Sequence, residues 1–183
     1  MIKVRRGMDL PIAGTPEQTI YDGPAVSQVA LIGSDYHGMK PTMAVRQGDV
    51  VKKGQLLFTD KKNDSAKYVA PAPGTVAAIN RGERRVFQSL VIDVEGHESK
   101  TFAAYKSEQL QELDRQLVTD QLVESGQWVA FRTRPFSKVP SAGSVASSIF
   151  VTAMDTNPLA ADPTVIIGQR EGDFANGLKV LSR

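Results

Sequence analysis

The sequence predicts a mixed α+β fold, in which a β-rich module of short strands is followed by the beginning of an α/β domain. Between Ala44 and Ile79, short apolar runs are punctuated by Gly48-Asp49, Gly54, Asn63-Asp64 and Pro73-Gly74. Turn signals this closely spaced belong to short antiparallel strands. From Ser107 the apolar period lengthens from two to about three and a half residues, the helical repeat. The predicted division gives residues 1–103 to an N-terminal segment and the β module, with a core over about 26–97, and residues 104–183 to the opening of the second domain.

Residues 1–43 read as irregular, because Gly7, Pro11, Gly14, Pro16, Gly23 and Pro24 break the early apolar runs. Val29-Ala30-Leu31-Ile32, closed by Gly33, reads as a buried strand, and Asp35 to Pro41 as a loop. Gly48-Asp49 and Gly54 then bracket Val50-Val51 with two tight turns. Leu56-Leu57-Phe58-Thr59 and Lys67-Tyr68-Val69-Ala70 form the arms of a predicted hairpin whose tip is the polar run Lys61 to Ser65. Thr75 to Ile79, entered through Gly74, and Val86 to Val94 are two more strands, with the charged turn Arg81-Gly82-Glu83-Arg84-Arg85 between them. Those arginines read either as a solvated turn or as a grip for an anion.

This β stretch resembles the biotinyl/lipoyl-type barrel-sandwich hybrid, whose signature is G-D-x-V-x-x-G-x-x-L, a hairpin, then V-x-A-P-x-x-G-x-V. Gly48, Asp49, Val51, Gly54, Leu57, Val69, Pro71, Gly74 and Val76 occupy its positions. A symmetric second half-motif would stand near Gly82-Glu83, where only a degraded remnant remains. The resemblance therefore implies a sandwich edited at one edge and embedded in a larger protein.

Beyond it, Leu110, Leu113 and Leu117 recur at helical spacing. Asp114 is the expected N-cap of a helix over Arg115 to Ser125, and Gly126 its stop. Trp128 to Pro140 supplies aromatics expected to pack between domains, and places Arg132, Arg134 and Lys138 on one loop. Ser148 to Met154 reads as a buried parallel-type strand. It runs into Asp155-Thr156-Asn157-Pro158, at the strand end where α/β folds place ligands. Phe174, Leu178 and Leu181 form an apolar stripe on a last helix. One strand and a few helices do not close an α/β core, so the part from residue 104 is expected to open a larger domain.

Composition narrows the function classes. The 41% hydrophobic and 23% charged residues are those of a soluble globular chain. A net charge of +2, with basic patches that lack interleaved aromatics, gives no case for nucleic acid. The absence of cysteine excludes disulfides, thiol nucleophiles and thiolate ligation of an iron–sulfur cluster by this chain. His37 and His97 have no ligand-spaced partner, so no metal site is expected. No apolar run approaches the ~20 residues of a membrane span, and Met1 to Gly7 lacks a signal-peptide core. Membrane association is expected through partners. A G-x-S-x-G elbow, an H-E-x-x-H helix, a P-loop and a dinucleotide fingerprint are all absent.

Four stretches together carry a wider resemblance: Met8 to Pro16, the sandwich, Arg132 to Pro140, and Phe150 to Ala160. The chain resembles the N-terminal part of the NqrA family, one of the subunits of the bacterial sodium-translocating NADH:quinone reductase. That implies a peripheral position on the cytoplasmic face of the inner membrane, with the other subunits (B to F) as partners, in a complex that passes electrons from NADH to ubiquinone and exports sodium. It also implies no redox cofactor in this chain, with FMN, FAD, riboflavin and iron–sulfur centres in the partners. The second domain is similar to the flavin-binding subunit of complex I. Where that relative has a glycine-rich flavin loop, this sequence has Arg132-Thr133-Arg134-Pro135, and where it has a Cys-Glu-Pro turn, Asp155-Thr156-Asn157-Pro158 stands. Each departure removes a cofactor contact.

Three functional readings follow. In the first, the chain is a non-catalytic assembly subunit. In the second, Arg132, Arg134, Lys138 and Asp155 contact quinone or a partner subunit, because cations can hydrogen-bond a quinone carbonyl as readily as they form intersubunit ion pairs. The third is a swinging-arm carrier, since Asp60-Lys61-Lys62 lies where lipoyl domains carry Asp-Lys-Ala.

Overall fold

The computed structural model describes residue 7 and residues 11–183. The readings of residues 1–6 and 8–10, including the start of the Met8 to Pro16 motif, lie outside the described residues. The chain divides into two units, one over Pro24–Ala146 and the other joining the stretch up to Gly23 with Ser147–Ser182.

The first unit holds seven strands: β1 (Gln28–Ile32), β2 (Pro41–Met43), β3 (Val50–Val51), β4 (Leu56–Asp60), β5 (Asn63–Val69), β6 (Gly74–Arg81) and β7 (Phe87–Val94). They form two antiparallel sheets, ordered β1-β7-β6-β3 and β2-β4-β5. Alternate residues of β5 and the residue that follows it, Ala66, Tyr68 and Ala70, point inward and are buried, as the two-residue period demands. Elsewhere bulges adjust the period. Leu57 is an extra residue between the pairs Leu56–Val69 and Phe58–Tyr68, so Leu57 and Phe58 are both fully buried. Between Asn80–Ser89 and Arg81–Phe87 the register shifts again, which turns Phe87 inward along with Leu90 and Ile92. Val45, Val51 and Val76 complete the core.

The hairpin arms pair as predicted, Thr59 opposite Lys67 and Phe58 opposite Tyr68. The tip is tighter than predicted. Only Lys61 and Lys62 lie outside the strands, because Asp60 pairs with Asn63 and the ladder takes in Asn63 to Ser65. Pro41–Met43, within the stretch read from sequence as irregular, is a strand that pairs with Phe58–Asp60. Gly74 permits the tight β6–β7 pairing: its φ is +148°, and a Cβ there would sit 1.9 Å from the Asp93 carbonyl oxygen.

Helix α1 (Arg115–Glu124) begins as predicted, with the Asp114 carboxylate accepting from the amides of Gln116 (2.7 Å) and Leu117 (3.3 Å). It stops at Gly126, in the left-handed region. The helical period before Asp114 does not produce a helix: residues 107–112 are turns. Leu110 is buried all the same, so its apolar spacing reflects burial of a turn. A short 3-10 segment, Gln127–Ala130, packs on β5.

In the second unit, α2 (Pro163–Gly168) and α3 (Glu171–Leu181) are helical, and α3 is the predicted final helix. Asp162 caps α2 through the Thr164 amide at 2.8 Å, and the Gln18 side chain accepts from the Asp162 amide at 2.7 Å. The strand expected over Ser148 to Met154 is absent. That run is irregular and exposed, Phe150 at 89%. A strand exists only through the ladder a neighbour provides, and among the described residues no strand pairs with it.

Candidate functional site

The two hairpin tips leave the sandwich at the same end. At the close of β1, Ile32 pairs with Ser89 near the start of β7. From there the chain crosses to the other sheet, where Pro41 pairs with Asp60 at the end of β4. The Lys61-Lys62 tip and the Gly82 to Val86 turn therefore flank the crossing segment, residues 33–40. The Asp60 carboxylate ties that segment to the tip by accepting from the amides of Lys40 and Lys62, both at 3.1 Å, and the Lys61 amide donates to the Lys40 carbonyl at 2.8 Å.

A third turn joins them. The Asn63 amide nitrogen donates to the carbonyls of Val139 and Pro140, each at 3.1 Å, and the Ala142 amide donates to the Ser65 hydroxyl at 3.1 Å. The Trp128 indole donates to the Pro140 carbonyl at 2.9 Å and its ring meets Phe131 edge-on. These two aromatics pack within the first unit, on the segment that lies against β5. The segment they anchor carries the Thr133 to Lys138 turn, closed by the Thr133 amide donating to Lys138 and the Ser137 amide donating to Thr133, both 2.8 Å.

Arg132, itself exposed, reaches from this turn toward Tyr36. Its guanidinium donates to the carbonyls of Val129 and Phe131 and lies over the Tyr36 ring at 5.6 Å. Tyr36 meets Tyr68 edge-on, and Tyr68 stacks on Phe58. Burial, reinforced by the charge of Asp60, pushes the Tyr68 phenol up to about 12, with Arg132 opposing. Tyr36 is raised as well, chiefly by burial. Both phenols are hydrogen-bond donors at neutral pH. Arg134 and Lys138 are exposed, as are Lys40, Lys61, Lys62, Arg84 and Arg85 at the same end, against the carboxylates of Asp35, Asp60, Asp64 and Glu83.

Asp155 belongs to the second unit. Its carboxylate accepts from the Asn157 amide (2.9 Å) and side chain (2.7 Å), closing its own turn. Within the first unit, the segment that carries Arg132, Arg134 and Lys138 adjoins the hairpin tip through Asn63, and Arg132 adjoins the Tyr36–Tyr68 pair. Tyrosines in the crossing loop and in β5 carry no spacing that announces this contact. Also unannounced is Glu124, which ion-pairs with Lys67 (2.6 Å) and with Lys100. Among the described residues, no group of three or more His, Asp or Glu is placed to hold a metal, and no helix is long and apolar enough to cross a membrane.

Two short-stranded sheets around one core, with a two-residue hairpin tip standing at one end, define a barrel-sandwich hybrid domain. The family model described as the NqrA N-terminal barrel-sandwich hybrid domain matches residues 2–95, and that of the NqrA second alpha/beta domain matches residues 113–183. The chain belongs to the NqrA family. Over all 183 residues it is 63% identical to the NqrA protein of Teredinibacter turnerae, which is named as a subunit of the Na(+)-translocating NADH-quinone reductase. It is 62% identical to the proteins of the same name in Saccharophagus degradans and Haemophilus influenzae. The chain spans 41% of the length of each of these relatives.

Proposed function

We propose that this chain serves as the N-terminal part of a docking subunit in a sodium-translocating NADH:quinone reductase, at the cytoplasmic face of the membrane. It supports electron transfer from NADH to ubiquinone, with the redox cofactors held by its partner subunits. The observation that carries this reading is the 63% identity over the whole chain to an NqrA protein named for that reductase. The chemistry of the chain agrees. It has no cysteine to ligate a cluster, and Arg132 is engaged with the carbonyls of Val129 and Phe131 and with the Tyr36 ring.

The test is replacement of Arg134 and Lys138 by alanine in the assembled complex. Weakened assembly with unchanged quinone kinetics supports docking. A raised KM for quinone in a fully assembled complex transfers these residues to quinone contact.

One observation favours the carrier reading: Lys61 is exposed on a two-residue tip. Against it, the neighbouring Asn63 is tied to Val139 and Pro140, so the tip is not a free-standing arm. Intact mass of the chain, purified from cells with active lipoyl and biotin ligases, separates the two. An unmodified mass leaves Lys61 as a surface residue.

A further inference from the structure

Three turns lie at the hairpin end of the sandwich, and two of them share a pattern. In the Gly82 to Val86 turn, Arg84 and Arg85 precede Val86, whose side chain is 63% exposed. In the Thr133 to Lys138 turn, Arg134 and Lys138 flank Phe136, which is 68% exposed. The third is the Lys61-Lys62 tip, adjoining the second through Asn63. An apolar side chain standing out at a turn with cations around it is suited to a surface that is anionic outside and apolar beneath. Arg84 and Arg85 both adopt positive φ, 51° and 62°, a region that β-carbon-bearing residues enter at a cost. The ion pairs among the described residues lie elsewhere, at Glu124 and at Arg170–Asp173.

We propose that this end of the sandwich binds directly to an anionic lipid surface, with Phe136 and Val86 entering the headgroup boundary and the flanking cations meeting lipid phosphates and carboxylates. The contact would add to any attachment made through partner subunits. A lipid surface fits better than an acidic peptide, because the exposed apolar side chains stand on separate turns, Val86 on one and Phe136 on the other, each with cations beside it. Attraction between clustered Lys or Arg and anionic lipids is additive per charge and acts within a Debye length, so cations on three neighbouring turns act together.

The experiment is co-sedimentation of the 183-residue chain with vesicles of phosphatidylcholine alone or with about one third phosphatidylserine, at physiological salt. It involves no other subunit, so its failure leaves the proposed role in the reductase standing. The expected result is at least about tenfold stronger binding to the anionic vesicles, lowered about tenfold by the pair Lys61→Glu/Lys62→Glu and severalfold by Val86→Ser/Phe136→Ser. The pair Lys52→Glu/Lys53→Glu, at the other end of β4, changes net charge equally and should bind within about twofold of the parent. Equal binding to both vesicle types, no binding, or equal loss in the Lys52/Lys53 control overturns the proposal. Competition by soluble polyglutamate that is insensitive to Val86→Ser/Phe136→Ser overturns it in favour of an acidic protein partner.

Discussion

Phe58 and Tyr68 stack across the β4–β5 pair with ring centroids 4.6 Å apart and planes inclined by 17°. Phe87 meets Phe58 edge-on at 5.2 Å, so one aromatic column links the two sheets. Phe58 is fully buried, and a cavity of its size would be lined by rings too rigid to collapse into it. Phe58→Ala is expected to destabilise the sandwich by about 3–5 kcal/mol. A urea melt followed by far-ultraviolet circular dichroism should show a lowered midpoint with an unchanged slope. A loss under about 1 kcal/mol would mean that the column is not the centre of the core.

Tyr68 supplies a pH signature. Its phenol is pushed up to about 12, first by burial and then by Asp60, against an ordinary value near 10. Between these values the unfolded chain releases a proton that the folded chain keeps, so stability falls as pH rises through that window. Absorbance titration of the four tyrosines should show one late step near 12. Tyr68→Phe should remove that step and flatten the alkaline loss of stability. If the late step survives the substitution, the assignment to Tyr68 fails.

Glu124 acts at the acid end. Hydrogen bonds from Lys100 and then Lys67 hold its carboxyl down at about 2, below an ordinary 4.5. Its stabilising effect is complete above about pH 4.5 and is lost as pH falls toward 2. The side chain is 48% exposed, so solvent screening limits the contribution to about 1 kcal/mol. Glu124→Gln should be less stable than the parent at pH 7 by that amount and equally stable near pH 2. A constant gap across the range would instead indicate lost packing at the end of α1.

How far the fold could be read from the residues follows from the reach of each interaction. Gly48, Gly54 and Gly74 were legible because turn chemistry is local, and so was Asp114, whose carboxylate caps a helix two and three residues on. The hairpin tip was misjudged because Asn63 looks like a turn residue until its side chain is seen bonded to Val139 and Pro140, 76 and 77 positions away. Ser148 to Met154 has β-branched and apolar residues without a ladder to join, and propensity alone does not hold a strand. The site was half legible. Arg132, Arg134 and Lys138 lie close together in the chain, whereas the contact of Arg132 with Tyr36 depends on the crossing of residues 33–40 between the sheets.

Gly126 ties the helical segment to the sandwich, and a single methyl group tests the join. Its φ is +73°, and a Cβ there would lie 2.7 and 2.9 Å from the two methyls of Val69 and 3.3 Å from the Lys67 carbonyl oxygen. Val69 is β-branched and held in β5, so it has little freedom to rotate away. Two costs should therefore add in Gly126→Ala, about 1 kcal/mol for the left-handed backbone and about 1–3 kcal/mol for overpacking against Val69. A double-mutant cycle separates them. In a Val69→Ala background the steric part should disappear, leaving Gly126→Ala with a loss of only about 1 kcal/mol in a thermal or urea melt. If Gly126→Ala costs the same in both backgrounds, the helix end does not press on β5, and backbone strain alone accounts for the glycine.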